Sequence, residues 1–220
     1  MIKQLPDLLS ADQVKQIKKL AGKAKFVDGR ISNPHSRVKN NLHLADLNIY
    51  EQTSSLMEEA LRANEDFRNF AIPMRMGPPL ITRYGPGMHY GLHPDSASIP
   101  LPDGPIRSDL SCTIFLNEPD QYEGGALRIT LGDSQMRFKG RAGSAVVYPS
   151  TTLHEVEKIE SGERLVAITF IQSRIRDIAK RNLLYELGEV AALEGLGMQP
   201  ENYARLQTVQ FNLSRMWMDF

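Results

Sequence analysis

The chain has 220 residues, 41% hydrophobic and 24% charged, which suits one substantial domain with an apolar core rather than a disordered polymer. Its 26 basic and 26 acidic side chains cancel to a formal net charge of zero, so the clustered basic excess of a nucleic-acid binder is missing. A single cysteine, Cys112, excludes an intramolecular disulfide, and no apolar run approaches the roughly 20 residues of a membrane helix; the expected location is the cytoplasm, with no membrane partner.

From the N-terminus, Ser10-Ala11-Asp12-Gln13 has the layout of a capping box, and Val14, Ile17 and Leu20 follow at helical spacing. This predicts an amphipathic helix over residues 11–22 with Lys15, Lys18 and Lys19 on its solvated side. A second helix is predicted over 50–69, with Leu56, Ala60 and Leu61 on one face. Between them Val38-Lys39-Asn40-Asn41 is a polar stretch with no evident structural purpose.

From residue 79 the pattern turns to strands. Pro79–Tyr84, Ser108–Asn117, Ala126–Leu131, Ser144–Tyr148, Leu153–Lys158 and Arg164–Ile171 are short, β-rich and separated by glycine turns. Leu165–Ile171 is apolar on both alternating faces, as a strand buried on both sides requires. Residues 94–107 form a long connection, the kind that serves as a lid. Beyond 175 the pattern is helical again, with Ile178, Leu183, Leu184 and Leu187 before Gly188 and a last segment from Tyr203 to Trp217. The expected fold is mostly β with flanking helices: a double-stranded β-helix (jelly-roll) core over 79–174, a helical support over 1–78 and a helical extension over 175–220, forming one catalytic unit. The apolar residues of the last helices serve either the barrel, leaving a monomer, or a second subunit in a homo-oligomer.

Five histidines are present, and two carry a pattern. His93-Pro94-Asp95 sets an imidazole two residues from a carboxylate, a spacing that in extended backbone aims both to one side. His154 follows 61 residues later inside a strand. Two imidazoles and one carboxylate make the facial triad of non-haem iron(II) oxygenases, which leaves three positions open for a 2-oxo acid and dioxygen. Taken alone, the motif is equally explained by a loop hydrogen bond between His93 and Asp95. Arg164 narrows the choice. It lies ten residues past His154, across the turn Ser161-Gly162-Glu163, so a hairpin could bring it beside the strand of His154. There its planar guanidinium would meet a distal carboxylate in two-pronged fashion. The alternative is a surface arginine paired with Glu163 or Glu160. His35 and His43 receive no ligand role, and His89 is read as an exposed loop residue near the mouth of the site.

Tyr84-Gly-Pro-Gly-Met-His-Tyr90-Gly-Leu-His93-Pro-Asp95, Phe115-Leu-Asn, Glu123-Gly-Gly, Tyr148-Pro-Ser, Leu153-His154-Glu-Val and Gly162-Glu-Arg164 together resemble the prolyl 4-hydroxylase-like oxygenases, and more narrowly the PKHD-type hydroxylases. The resemblance extends to Val27-Asp28-Gly29-Arg30, to Val38-Lys39-Asn40-Asn41 and to Ile171–Leu187. It implies an iron(II)- and 2-oxoglutarate-dependent dioxygenase that hydroxylates a substrate carbon and releases succinate and CO2. The implied iron ligands are His93, Asp95 and His154, and the implied 2-oxoglutarate residues are Arg164 and Tyr84. Tyr90, Asn40 and Asn41 are implied on the substrate side. O2 is the implied co-substrate, L-ascorbate the reductant, and a peptidyl proline the substrate, with a free amino acid or small metabolite as the alternative. The sequence departs from the family at Ala126, where a glutamate commonly follows the two glycines. Halogenation is disfavoured by Asp95, because chloride needs that position vacated. A non-catalytic metal-binding jelly-roll sensor has no use for Arg164.

Overall fold

The computed structural model describes residues 1–34 and 36–220; His35 lies outside them. In chain order the strands are β1 (Lys3–Leu5), β2 (Phe26–Asp28), β3 (Lys39–Asn40), β4 (Leu42–Leu44), β5 (Pro73–Met76), β6 (Leu80–Tyr84), β7 (His89–His93), β8 (Ser98–Ile99) and β9 (Ile106–Arg107). They continue with β10 (Leu110–Phe115), β11 (Tyr122–Gly124), β12 (Leu127–Leu131), β13 (Ser134–Phe138), β14 (Ala145–Pro149), β15 (Leu153–Val156), β16 (Ile159–Gly162) and β17 (Arg164–Ser173). The helices are α1 (Ala11–Ala21), α2 (Leu47–Ala63), α3 (Glu65–Ala71), α4 (Ile178–Glu194) and α5 (Pro200–Trp217). Among the described residues no helix is long and apolar enough to cross a membrane.

Two antiparallel sheets face each other. The larger runs β1-β14-β10-β17-β6-β4-β2, with β5 also on β17, and the smaller runs β13-β12-β15-β7-β3. Residues alternate between two cores, as the period of two dictates. On β17, β10 and β14, Leu165, Ala167, Cys112, Ile114, Ala145 and Val147 pack toward the helices with Ile17, Met57, Leu61 and Phe67. Their neighbours Val166, Phe115, Val146 and Tyr148 pack between the sheets against Leu127, Ile129 and Val156 of the smaller one. This is the expected jelly-roll sandwich, and β17 is indeed covered on both faces.

Several local expectations are refined. The capping box at Ser10 forms, with Ser10 Oγ accepting from Gln13 N and Gln13 Oε1 accepting from Ser10 N. The helix expected over 50–69 is two helices, because Asn64 ends α2 and its side chain caps α3 by accepting from Phe67 N. Helix α4 runs through Gly188 rather than stopping there; a Cβ at that glycine would lie 3.6 Å from Gln210 of α5, so the two helices approach closely at this point. The segment before residue 79 adds β1, β2, β4 and β5 to the larger sheet. The polar stretch around Lys39 has a purpose after all: β3 belongs to the smaller sheet and β4 to the larger, so the chain crosses between sheets at Asn41. The long connection 94–107 contains the β8–β9 hairpin, anchored by buried Ile106 and by Arg107, whose guanidinium grips Asp109 at 2.7 and 2.9 Å.

Candidate metal and 2-oxo acid site

The site lies between the sheets, and backbone irregularity aims its side chains. On β7, His93 stands opposite His154 while Tyr90 stands opposite Val156, so Gly91 and Leu92 of β7 face the single residue Glu155 of β15. Such a bulge puts Tyr90 and His93 on one face although they are three apart, and their rings stack at 3.5 Å between centroids with 15° between planes. Leu92 is turned outward and is 52% exposed. Asp95 lies two residues beyond the end of β7, where its backbone N–H donates to Ser150 O at 3.4 Å.

One ligand atom from each of His93, Asp95 and His154 falls within 4.8 Å of the other two. Metal–ligand bonds of about 2 Å need such atoms roughly 3–4 Å apart, so a small contraction closes the set. His154 Nε2 is 3.6 Å from Asp95 Oδ2. Each histidine uses Nδ1 on the carbonyl two residues earlier, His93 on Gly91 at 2.7 Å and His154 on Thr152 at 3.0 Å. A carbonyl only accepts, so Nδ1 carries the proton and Nε2 keeps its lone pair for a metal. Burial, reinforced by His154 and Lys39, pushes His93 down to about 4, so its ring is neutral at physiological pH. Burial raises the Asp95 carboxyl, with His154, Ser111 and Lys39 pulling the other way. These donors fit a divalent metal of the imidazole- and carboxylate-binding kind.

Arg164 does not lie beside the strand of His154, as the hairpin argument expected. The turn carries the chain through β16, which pairs with β11, and Arg164 then opens β17 in the opposite sheet, directly across from Tyr84 of β6. It enters the cavity from the facing wall. Glu163 instead pairs with Arg83 at 3.3 Å, so the surface reading of Arg164 fails. Arg164 is 1% exposed, its guanidinium sits 5.0 Å from the Tyr84 ring centroid, and its Nε and Nη1 meet no acceptor among the described residues. A buried guanidinium with idle donors calls for an anion. The Glu123-Gly-Gly motif makes room for it: a Cβ at Gly125, whose φ is +65°, would press on Ile159 and stand 3.2 Å from Arg164 Cδ.

Of the remaining candidates, Tyr84 is buried and accepts from Asn41 Nδ2 at 2.8 Å, and both line the cavity with Tyr90. Asn40 does not join them; it is exposed on β3 because the strand alternation that buries Lys39 and Asn41 turns it away. His89 opens β7 on the outer side of the smaller sheet, and His43 is buried in β4 away from the ligands. Sequence reasoning missed Lys39, Ser111 and Tyr148, all of which line the cavity. Ser111 Oγ donates to Asp95 Oδ2 at 2.5 Å, and the Tyr148 ring meets that of His154 edge-on at 5.1 Å. The Tyr148-Pro-Ser motif held part of this signal, since Ser150 Oγ is 2.7 Å from Ser111 Oγ.

Residues 79–172 match the model of the 2OG-Fe(II) oxygenase superfamily. Solved structures share the fold: a prolyl-4-hydroxylase from Pseudomonas putida (TM-score 0.56, 22% identical, 79% of this chain and 92% of that one) and HygX from Streptomyces hygroscopicus (0.54, 14%, 79% and 84%), the latter with nickel, 2-oxoglutarate and hygromycin B bound. The fold and the His-Asp-His cluster thus define a 2OG-Fe(II) oxygenase. Relatives are similar over nearly their full length: a PKHD-type hydroxylase of Sphingopyxis alaskensis is 58% identical over 214 residues (97% of this chain, 98% of the relative), and one of Stenotrophomonas maltophilia is 36% identical over 224 (100% of each). The chain belongs to the PKHD-type hydroxylases.

Proposed function

We propose that this oxygenase holds iron(II) on His93, Asp95 and His154, takes 2-oxoglutarate on Arg164 and Tyr84, and hydroxylates a carbon of a prolyl peptide. The observation that carries the reading is the pairing of three convergent ligand atoms with a buried guanidinium that lacks an acceptor in the same cavity. With iron(II) and 2-oxoglutarate bound, the site supplies oxidation of an unactivated C–H bond by O2, coupled to release of succinate and CO2.

The protein's own share is placement. Arg164 supplies a planar pair of donors for the distal carboxylate of the 2-oxo acid, and the Tyr84 hydroxyl, already accepting from Asn41, has its proton free to donate to the same group. Ser111 fixes the Asp95 carboxylate, and the two Nδ1–carbonyl bonds fix both imidazoles, so these three side chains would hold the metal from their own side. Tyr148, Leu127 and Val156 supply apolar surface to the same cavity. Tyr90, packed on His93, forms the substrate side.

A prolyl substrate is supported by the fold shared with prolyl-4-hydroxylases; a free amino acid or small metabolite is the alternative chemistry for the same site. L-Ascorbate is the reductant this reading requires to keep iron ferrous, and the reducing cytoplasm is the compartment it suits. The test is succinate release from 2-oxoglutarate by protein loaded anaerobically with iron(II) and then exposed to O2. Release no greater than that of Asp95→Ala overturns the reading. Proline-bearing peptides and a metabolite extract, screened for gain of one oxygen atom by mass spectrometry, then separate the two substrate classes.

A further inference from the structure

Arg164 is not the only buried cation lining the cavity. Lys39, on β3, is 7% exposed and faces the same space as Asp95, His93 and Tyr90. Its ammonium donates to Ser32 Oγ at 2.7 Å and lies 5.2 Å from the centroid of the Tyr90 ring, which itself stacks on His93. The nearest carboxylates act on it only through space. Both are committed elsewhere: Asp28 grips Arg30, and Asp95 accepts from Ser111. Among the described residues, three ammonium N–H groups therefore have one hydroxyl and one ring face to share, in a place where burial lowers the ammonium to about 8.

This position is built rather than accidental. Lys39 pairs in register with Tyr90, and Gly91 N donates to Val38 O at 2.9 Å. A Cβ on Gly91 would stand 2.9 Å from Val38 Cβ, so the glycine lets β3 press against the strand that carries His93. The cation is thereby held one ring away from a metal ligand, on the wall that carries Tyr90, while Arg164 enters from the facing sheet. A lysine kept there with no carboxylate in hydrogen-bond contact among the described residues raises the energy of the site, and a ligand anion would relieve it.

We propose that Lys39 is the receptor for a substrate carboxylate, so that the molecule hydroxylated here carries a carboxylate near the reacting carbon. This rests on the oxygenase reading above. A single ammonium matches one negative charge; a phosphate dianion would want further donors, and Arg164 belongs to the other wall. The carboxylate is either the α-carboxylate of the prolyl residue itself, free or at a peptide C-terminus, or the side chain of an acidic residue beside it. A neutral amide in its place would bury the ammonium without a partner.

The experiment uses protein loaded anaerobically with iron(II) and 2-oxoglutarate, so that binding is read by calorimetry without turnover. One arm compares N-acetyl-L-proline with N-acetyl-L-prolinamide; the other compares the acetylated, amidated dipeptides Pro-Glu and Pro-Gln. In at least one arm the carboxylate is expected to bind on the order of 30-fold more tightly than the amide, and the arm that discriminates names the source. Lys39→Gln should bring that ratio within about 3-fold, and Lys39→Arg should keep most of it. Thermal unfolding of both variants shows that they are folded. The proposal is overturned if neither arm discriminates, including by failure of every probe to bind, or if the preference survives Lys39→Gln. Succinate release by the same wild-type preparation in air separates the two readings. Succinate without discrimination removes only the role of Lys39, whereas discrimination without succinate leaves the anion site standing and removes the oxygenase reading.

Discussion

Ser111 on the larger sheet donates its hydroxyl to Asp95, two residues past the end of β7 of the smaller one, at 2.5 Å, so the carboxylate of the ligand cluster is tethered across the sandwich. Ser150 and Ser108 continue the line, at 2.7 and 2.8 Å between hydroxyl oxygens. The chain of hydroxyls ends on Asp95 Oδ2, the oxygen that also faces His154 Nε2 at 3.6 Å, and so fixes the orientation of the carboxylate within the ligand cluster. Ser111→Ala removes the tether while leaving a small side chain in a tight space. We expect metal affinity to fall by roughly 10–100-fold, the usual cost of losing a group that orients a ligand. Titration with cobalt(II), followed by its visible absorption, measures this directly. An unchanged affinity would mean that Asp95 is placed by its backbone alone.

Arg164 makes opposite demands on the empty and the filled protein. Without a 2-oxo acid its Nε and Nη1 are buried with no partner among the described residues, which is a cost. Arg164→Met removes that cost at similar volume, so the ligand-free variant should unfold at an equal or higher temperature than wild type. The stabilisation that 2-oxoglutarate gives wild type by mass action should vanish in the variant. Its 2-oxoglutarate requirement in succinate release should rise by at least about 30-fold, as for loss of a charge-assisted pair of about 2 kcal/mol. Thermal scans with and without 2-oxoglutarate check the first two outcomes; persistent stabilisation of Arg164→Met by 2-oxoglutarate would place the acid elsewhere.

The opposed faces of Arg164 and His154 also mark where the sequence stops being readable. The helix after Ser10, the six strands β6, β10, β12, β14, β15 and β17 and the donor types at His93, Asp95 and His154 were legible because each rests on local chemistry: a cap, an alternation, a spacing; β7, which carries His93, was not. Which strand neighbours which was not. The path from His154 to Arg164 looks like one hairpin along the chain, yet β15 and β17 lie in different sheets, because β16 leaves to pair with β11. Strands of two or three residues such as β3 and β4 are too short for alternation to register, so Lys39 and Asn41 read as an idle polar run. β13 escaped because four of its five residues are exposed, leaving no apolar face. Ser111 was hidden for a different reason: inside a strand buried throughout, a serine resembles any small core residue until its partner across the sandwich is known.

Gly29 and Asn41 test how tightly Tyr84 is held. A Cβ at Gly29 would overlap Asn41 Oδ1 and stand 3.0 Å from the Asn41 carbonyl oxygen, while Asn41 Nδ2 donates to Tyr84. Gly29→Ala should therefore destabilise the protein by about 1–3 kcal/mol through overpacking, and loosen Tyr84 as Asn41 is displaced. Asn41→Ala loses the hydrogen bond but opens the space. The double variant should cost clearly less than the sum of the two single ones, because the side-chain clash is gone and only the close approach to the Asn41 backbone carbonyl remains. Urea unfolding of the four proteins gives the coupling. Simple additivity would show that the two side chains do not compete for this space.

His43 gives the fold a pH dependence of its own. The ring is 3% exposed, its Nε2 has no partner among the described residues, and burial followed by Lys39 lowers it to about 4 from an ordinary 6.5. A base whose folded value is depressed binds fewer protons in the native than in the unfolded state between those two values. Stability is therefore complete above about pH 6.5 and falls as pH drops toward 4, by up to about 3 kcal/mol from this one group. His43→Leu, of similar volume and without a proton to take, should flatten that part of the curve while other groups contribute equally to both proteins. Metal-free protein in chelator, unfolded with urea at steps from pH 7 to pH 4, isolates the effect from metal binding. Parallel curves for wild type and His43→Leu would mean that the buried ring takes up its proton without cost, and that a water or a local opening reaches Nε2 from the β4 side.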